Sequence, residues 1–380
     1  MKYLALILKN LFRNKRRTLL TVFSIAVSLF IFSALVSLPT LANQILADRA
    51  TSQRIVTHNK SGLTYSMPHA YRQKIALLPH VTATAAQSWF GGVLHDVTDQ
   101  FPNMAVDPDQ ADLVWSDYGV TAEQWEQFKK LRTACLVGPD TMKRFKLKIG
   151  QQITLKGGPY PFNVTLNIVG VFGGKAPPNF LYFRRDYLEE ANNGRAYVDS
   201  IWVKADKGDN VPQLIAAIDE QFANSSAETQ SESEAAFIGS FLRGYRTMFS
   251  LFEILGVIVV ITVGLVAANT SAMSIRERRN EIAVMRSLGF TSRLILSLLL
   301  AESLIIGLVG GVLGCGGAFL ILKVFSAGSP AAGPMGAIRM PPMVLGETLA
   351  AAALIGLLSA LVPARAAARR NIVDTLRAVG

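Results

Sequence analysis

A short charged segment, residues 276–289, carries residue types and a spacing suited to specific contact with another molecule. It reads RERRNEIAVMRSLG, with acids and bases interleaved. Ile282, Met285 and Leu288 recur at helical spacing, which predicts a short amphipathic helix. Gly289 is placed to end that helix, because glycine is favoured just beyond a helix C-terminus. A protein partner with a charged groove would use both signs of charge along such a helix.

The alternative interpretation is a helix that lies on anionic lipid headgroups. Glu277 and Glu281 argue against it, because carboxylates gain nothing at an anionic surface. We therefore predict that the segment contacts a protein partner. The residues assigned to this contact are Arg276, Glu277, Arg278, Glu281, Ile282, Met285, Arg286, Leu288 and Gly289.

A carboxylate and a run of glycines follow within an apolar stretch. An ionisable residue inside a membrane segment is a functional candidate by default, and Glu302 fits either a structural polar contact or a role in relaying motion. Gly307, Gly310, Gly311 and Gly314 give two G-x-x-x-G spacings on adjacent helix faces. Such spacings predict close helix packing.

No pattern indicates catalysis or metal binding. The four histidines, at positions 58, 69, 80 and 95, are 11, 11 and 15 residues apart, which matches no compact metal motif. The nearest approach to a phosphate-binding loop is GVFGGKA, residues 170–176. It is one residue short of GxxxxGK[ST] and ends in alanine. We predict no catalytic residue, no metal site and no cofactor bound by this chain.

Four apolar runs must position these residues, at 18–38, 248–270, 294–325 and 344–364. Each is long enough to span a bilayer, and the third is longer than a span needs. The basic residues before the first run, with Thr40-Leu41-Ala42 after it, also suit a weak signal peptide. The run is long for a signal, so we interpret it as a membrane span.

The distribution of charge orients these spans. The net charge is +11. The segments before the first span, between spans two and three, and after span four hold 15 basic and three acidic residues. The positive-inside rule places these segments in the cytoplasm and both termini with them. Because topology accounts for the basic excess, no nucleic-acid partner is expected.

The polar stretch between the first two spans reads as an α+β domain. Residues 121–131 predict a helix capped by Thr121 and Gln124, and residues 211–223 predict another. Residues 151–156, 163–172 and 197–204 have strand-like patterns, and residues 224–235 read as a linker. This order suggests two small α/β lobes. The predicted fold is thus four transmembrane helices with a large α+β extracytoplasmic domain inserted between the first two.

The predicted boundaries follow from these patterns. They are an amphipathic N-terminal segment (1–17), the first span (18–40), the extracytoplasmic domain (41–245), the second span (246–271), the coupling loop and helix (272–293), the third span (294–325), a short outer loop (326–343), the fourth span (344–364) and a cytoplasmic tail (365–380).

Several of these segments resemble the FtsX/MacB-like ABC transporter permeases. The pattern E-R-x-x-E-I-x-x-x-R-x-L-G at 277–289 is similar to the coupling segment of that family. PARAAARRNIVDTLR at 363–377 resembles its C-terminal signature, and KNLFRNKRRTLLT at 9–21 resembles its N-terminal helix and first span. Residues 135–172, with LVG, KIGQQITL and NIVGVF, are similar to its extracytoplasmic core domain.

The resemblance implies a mechanism, often called mechanotransmission. Two permeases, either identical or related, each sit on a cytoplasmic ATPase subunit that binds ATP and Mg, and the outer domains move as levers. Unlike MacB, this sequence shows no fused ATPase, so a separate nucleotide-binding subunit is expected. The resemblance places the chain in a bacterial inner membrane and adds a periplasmic adaptor or membrane-fusion protein as a candidate partner.

Two functions fit this mechanism. The first is export or extraction of a lipoprotein, lipid, hydrophobic small molecule or peptide. The second is a signalling device whose outer domain activates a cell-wall hydrolase without transport. The outer domain of about 200 residues favours the exporter, because the division-type permeases of this family tend to have a small one.

Overall fold

The computed structural model describes residues 10, 13–50, 52–96, 99–328 and 340–369, without the side chains of 325–328, 368 and 369. The chain divides into two compact units. The membrane unit comprises Met1–Leu41, Tyr245–Val324 and Arg339–Gly380, and the outer unit comprises Ala42–Gly244 and Phe325–Ile338. Most of the predicted N-terminal segment, most of the loop after the third span and the tail after 369 lie outside the described residues.

The secondary structure follows in chain order. The elements are α1 (Lys15–Ala50), β1 (Arg54–Asn59), β2 (Met67–Pro68), α2 (Ala70–Ala76), β3 (Val81–Trp89), β4 (Asn103–Val106), α3 (Ala111–Val114), α4 (Ala122–Lys130), β5 (Ala134–Val137), α5 (Pro139–Arg144), β6 (Gln152–Leu155), β7 (Val164–Val171), β8 (Leu181–Arg184), α6 (Arg185–Ala191), β9 (Tyr197–Val198), β10 (Ser200–Ala205), a 3-10 turn (Gly208–Asn210), α7 (Val211–Phe222), β11 (Thr229–Ser233), α8 (Glu234–Arg243), α9 (Arg246–Glu277), α10 (Arg279–Ser287), α11 (Ser292–Gly328) and α12 (Pro342–Arg369).

Within the described residues, four helices are long and apolar enough to cross a membrane. They are Lys15–Ala50, Arg246–Glu277, Ser292–Val324 and Pro342–Ala367. The predicted four-span architecture is therefore confirmed. The third of these helices has 33 residues, well beyond the ~20 that a bilayer requires.

The interior of the membrane unit is largely apolar and includes a close pair of buried hydroxyls. Ile25 and Leu29 of α1, Val263 of α9 and Ile355 of α12 belong to one buried cluster. The hydroxyls of Ser33 and Thr348 lie 2.9 Å apart, close enough for one to donate to the other. The other hydroxyl then donates to a carbonyl of its own helix, that of Leu29 for Ser33 or of Val344 for Thr348. Buried hydroxyls need such partners, because an unpaired one is costly away from water.

A sheet of nine strands organises the described part of the outer unit, in the order β11-β1-β10-β3-β4-β8-β5-β7-β6. The pairs β4–β8 and β5–β7 are parallel, and the other neighbours are antiparallel. The two predicted lobes thus share one continuous sheet. One core lies at the β5–β8 end and contains Phe90 and Phe183. Another lies at the β1–β10 end and contains Ile201 and Ile218.

The local predictions for this unit mostly agree with the structure. Thr121 and Gln124 form the predicted capping box at the start of α4. The predicted linker at 224–235 is wrong in part, because residues 229–233 form the edge strand β11 beside β1. Its Ser/Glu composition concealed the strand: Thr229 and Ser231 point inward and are buried. The carboxylate of Asp219 holds both, accepting from the Thr229 hydroxyl and the Ser231 N–H at 3.0 Å each.

A buried carboxylate, Asp107, links α2, β3 and α6. Its Oδ2 lies 2.9 Å from His69 Nε2 and 3.0 Å from a guanidinium nitrogen of Arg72. The same atom accepts the N–H of Ala86 in β3. Its Oδ1 accepts from Arg185 at the start of α6. Burial alone would raise the pKa of Asp107, but the His69 hydrogen bond and the charges of Arg185 and Arg72 hold that pKa at about 2.

We expect the outer unit to lose stability as the pH falls through this pKa. The pKa of Asp107 is depressed on folding, so its contribution is complete above about pH 4 and disappears as the pH falls towards 2. The contribution is about 2 kcal/mol. All four tryptophans of the sequence, at positions 89, 115, 125 and 202, belong to this unit. Tryptophan fluorescence during thermal unfolding therefore measures it.

The matched control is Asp109, which is also beside Arg72 but at 3.6 Å and on the surface. Asp107→Asn should lower the unfolding temperature at pH 7 and flatten its dependence on pH below 4. Asp109→Asn should change neither. If the unfolding temperature of Asp107→Asn fell below pH 4 as steeply as that of the wild type, this assignment would be contradicted.

Candidate functional site

The short helix α10 is attached to the spans by an apolar junction. Arg278, with φ −100° and ψ 16°, separates it from α9. Ile282 of α10 is buried with Ile275 of α9, Ile295 of α11 and Ala364 of α12. Met285 packs against the same group, called here the junction cluster. Three spans thus pack against one apolar face of α10.

Six charged side chains lie around the junction cluster and form what we call the charge network. Arg17 of α1 pairs with Glu277 at the end of α9 and donates to the Ser274 hydroxyl at 2.8 Å. Arg13 pairs with Glu281 of α10. The two arginines stand four positions apart, as do the two glutamates, and Arg13 lies two residues before α1.

The third pair lies deepest. Arg278 donates to Glu302 of α11 at 2.8 Å and approaches Glu281 at 3.4 Å. The side chains of Arg278 and Glu302 are 11% and 13% exposed. With three arginines and three glutamates, the network is neutral as a whole. The pKa of Glu281 is lowered, because the hydrogen bonds and charges of Arg13 and Arg278 outweigh its partial burial.

A small polar cavity of about 40 Å³ adjoins this network among the spans. Arg17, Arg278 and Glu302 line it, together with hydroxyls that include those of Thr270 and Ser303. A cavity of this size and polarity has room for one or two water molecules. Polar groups at this depth can therefore be satisfied by the network and by water.

The side of α10 away from the junction cluster is exposed and apolar. Val284 and Leu288 stand one turn apart and are 53% and 73% exposed. Asn280 and Ser287 are exposed beside them. Gly289, with φ 92°, follows the helix in the left-handed region, as its predicted position beyond the C-terminus requires.

A second cavity, of about 190 Å³, lies between α9, α10 and α12. Its charged lining residues are Arg276, Arg279 and Arg286, and it is called here the arginine cavity. The remaining lining residues are apolar, namely Ala272, Ile275, Ile282, Ala283, Pro363, Ala366 and Ala367. None of the lining residues in the described part of the chain is a carboxylate.

The glycines of α11 face two different helices. A Cβ built on Gly307 would lie 2.5 Å from the Ala352 carbonyl oxygen, and one on Gly311 would lie 2.6 Å from the Ala352 Cβ, both on α12. A Cβ on Gly310 would lie 2.6 Å from Ile25, and one on Gly314 would meet the Ala26 carbonyl, both on α1. The two predicted glycine faces therefore let α11 approach α12 on one side and α1 on the other.

The nine residues predicted for partner contact divide into four groups in the structure. Glu277, Arg278 and Glu281 pair within the chain, as does Glu302. Ile282 and Met285 belong to the junction cluster. Arg276 and Arg286 line the arginine cavity. Leu288 and Gly289 remain at the exposed end of α10.

Sequence reasoning missed several residues of this site, among them Arg279 of the arginine cavity. Arg13 and Arg17 counted only towards topology, although their four-residue spacing equals that of Glu277 and Glu281. Val284 was missed because the predicted apolar stripe runs through Ile282 and Met285, on the opposite face of the helix. The spacing from Val284 to Leu288 was the available signal.

The outer unit has a buried ion cluster of its own, centred on Glu234 at the start of α8. Glu234, which is 1% exposed, accepts from Arg49 at 2.7 Å, from Arg54 at 2.7 Å and from the Ser52 hydroxyl at 2.6 Å. Arg54 also donates to Asp117 at 2.5 Å. The residues that enter this unit from α1 are thereby joined to the helix that precedes α9.

Each histidine lies beside a carboxylate rather than in a metal cluster. The partners are Glu232 for His58, Asp107 for His69, Asp206 for His80 and Asp99 for His95. In the part of the chain that the structure describes, no group of three or more histidine, cysteine or acidic residues is arranged to hold a metal ion.

Comparison with known proteins gives two family matches. Residues 253–372 match the FtsX-like permease C-terminal model, and residues 18–221 match the MacB-like periplasmic core domain model. An uncharacterized ABC transporter permease of Methanocaldococcus jannaschii, MJ1507, is 24% identical, and the match covers 97% of this chain and 96% of that protein.

Two further matches are partial. The macrolide export ATP-binding/permease protein MacB 1 of Yersinia pestis bv. Antiqua is 27% identical over 190 residues. That match covers 48% of this chain but only 28% of MacB 1. Among solved structures, the periplasmic region of MacB from Actinobacillus actinomycetemcomitans matches with a TM-score of 0.38 and 10% identity, covering 51% of this chain and 94% of that one.

The glycine contacts give a direct test of the packing in the membrane unit. Gly314→Ala should lower the unfolding temperature, because the new methyl group would meet Ala26 and Phe30 backbone atoms, at a cost of about 1–3 kcal/mol. Gly316→Ala, two residues along, has nothing within 4 Å of its Cβ and should be neutral or slightly stabilising. Circular dichroism of the purified chain measures both. Equal effects of the two changes would contradict the close approach of α11 to α1.

Proposed function

Because the chain belongs to the FtsX-like ABC transporter permeases with a MacB-like periplasmic core domain, we propose that α10 couples ATP hydrolysis by a separate subunit to movement of the spans. The observation that carries this proposal is the construction of α10. One face is fixed to three spans, and the other presents exposed apolar side chains. A load applied to the exposed face would reach the spans directly.

The nucleotide-binding subunit would dock on Val284 and Leu288. Both side chains are exposed, although neither lies in a span that lipid would cover. Apolar side chains at the centre of a contact usually dominate its energy. Three of the charged residues predicted for this contact, Glu277, Arg278 and Glu281, pair within the chain and would hold α10 in place.

Motion would pass from α10 through the charge network and the glycine contacts. Arg13 and Arg17 connect α10 and α9 to α1, and Arg278 connects them to α11. Packed helices with close backbone contacts move as rigid bodies more readily than they deform. In the outer unit, the Glu234 cluster would keep the segments next to α1 and α9 moving together.

The transported material is proposed by analogy. MacB 1 of Yersinia pestis is a macrolide export protein by name, so we propose export or extraction of a hydrophobic small molecule, lipid, lipoprotein or peptide. ATP and Mg would be bound by the nucleotide-binding subunit, because these 380 residues contain no GxxxxGK[ST] loop. A second permease copy or a related permease would complete the complex, with a periplasmic adaptor as a further partner.

The proposed orientation places α10 in the cytoplasm and the outer unit outside the cytoplasmic membrane. A cysteine at Ser287 should stay unlabelled by an impermeant thiol reagent in intact cells, whereas one at Leu77, which is 86% exposed, should label. The native Cys135 and Cys315 are buried and give little background. Labelling at position 287 from outside would refute the four-span orientation.

The docking face is tested by placing a charge on it. Val284→Asp and Leu288→Asp should each weaken co-purification of the nucleotide-binding subunit at least tenfold, since burying a carboxylate in an apolar contact costs about 2 kcal/mol or more. The permease itself should stay folded, because both side chains face solvent. Leu77→Asp, an equally exposed leucine of the outer unit, is the matched control. If both α10 variants retained the subunit at wild-type levels, the docking face would lie elsewhere.

A further inference from the structure

The arginine cavity is a site of concentrated positive charge that coupling through Val284 and Leu288 does not use. Arg276 stands one residue before the end of α9, and Arg279 begins α10. Arg286 lines the same cavity one residue before the end of α10. These side chains meet over a floor of alanine, isoleucine and proline side chains.

The acids of the charge network do not pair with Arg276 or Arg279. Glu277 pairs with Arg17 and Glu281 with Arg13, and Glu302 is occupied by Arg278. Arg276 and Arg279 make no ion pair and no side-chain hydrogen bond within the described ranges. Arg276 and Arg279 therefore line the cavity with hydrogen-bond donors available, and none of the described lining residues is a carboxylate.

The chemistry that suits this arrangement is a phosphate ester. Guanidinium groups bind phosphate oxygens through paired, charge-assisted hydrogen bonds. The volume of about 190 Å³ is roughly that of six water molecules, which is sufficient for a phosphate with part of its ester. The cavity also has an apolar floor. A free phosphate, which is fully hydrated, would gain nothing from contact with that floor, whereas the apolar part of an ester would.

The surroundings favour a lipid as the source of that phosphate. Two exposed apolar side chains, Met273 on α9 and Val362 on α12, are adjacent in sequence to the cavity-lining residues Ala272 and Pro363. Acyl chains would cover them while the headgroup occupied the cavity. Basic pockets at the ends of membrane helices are recognised sites for anionic headgroups.

We propose that the arginine cavity binds the phosphate of an anionic phospholipid at the membrane interface. The bound headgroup would fill the space between α9, α10 and α12 and so support the position of α10. The lipid site is separate from the docking face at Val284 and Leu288, because it lies on the opposite side of α10, around Ile282 and Ala283.

Native mass spectrometry of the purified full chain in neutral detergent tests the lipid site without any partner subunit. Phosphatidylglycerol should form adducts at lipid concentrations at least tenfold lower than phosphatidylcholine requires. Arg276→Gln with Arg279→Gln should reduce phosphatidylglycerol binding about tenfold or more. Arg276→Lys with Arg279→Lys should retain most of it. Arg293→Gln, an exposed arginine of the same stretch outside the cavity, should have no effect.

Three results would overturn the lipid site. The first is phosphatidylglycerol binding that is as tight in the double glutamine variant as in the wild type. The second is inorganic phosphate competing at equal concentration, which would identify a soluble ligand. The third is a double glutamine variant that keeps its lipid but loses the nucleotide-binding subunit, which would assign these arginines to the protein contact. Circular dichroism confirms that each variant is folded, so loss of binding is not loss of structure.

Discussion

Burying a guanidinium at the end of one span, or a carboxylate within the next, costs free energy because the charge loses its water. That cost is small only when the two charges are buried as a pair. Arg278 and Glu302 form such a pair, at 2.8 Å and with little exposure of either side chain. Breaking a fully buried pair costs about 3–5 kcal/mol, because it leaves one charge uncompensated. This pair fixes the turn between α9 and α10, and the position of α10 depends on that turn.

The other features of the membrane unit reinforce the same geometry. The pairs formed by Arg13 and Arg17 are more exposed and contribute little individually, but they fix α1 against the α9–α10 segment. Glycines on two faces of α11 bring backbones together where a methyl group would collide. The helix α11 is held by an ion pair at Glu302 and by close packing at its glycines. It can therefore move only together with its neighbours.

The sequence predicted the features that depend on local patterns. Apolar runs gave the four spans, Thr121 and Gln124 gave a helix start, and Gly289 gave a helix end. Pairings between distant residues were not predictable in this way. Arg17 and Glu277 are 260 positions apart, and nothing in the periodicity of either segment specifies that they meet. The joining of two lobes into one sheet likewise depends on strand pairing between distant segments, and β11 was hidden because its inward residues are hydroxyl-bearing rather than apolar.

The candidate site shows the same limit in another form. The interleaved charges of residues 276–289 were interpreted as a contact with a protein partner, but they did not reveal that Glu277, Arg278 and Glu281 pair within the chain. An amphipathic pattern also cannot say which of its faces is covered by the protein's own spans. Burial of Ile282 and exposure of Leu288, six residues apart on one predicted stripe, became distinguishable only once the junction cluster was known.

Amide hydrogen exchange across residues 279–287 tests the central claim most directly. If Arg278 and Glu302 hold α10 against the spans, then Arg278→Glu or Glu302→Arg alone should speed exchange in α10 by tenfold or more. The charge-swapped double variant should recover most of the protection, and the strands of the outer unit should exchange as in the wild type. Exchange in α10 that stays at the wild-type rate in both single variants would contradict the account.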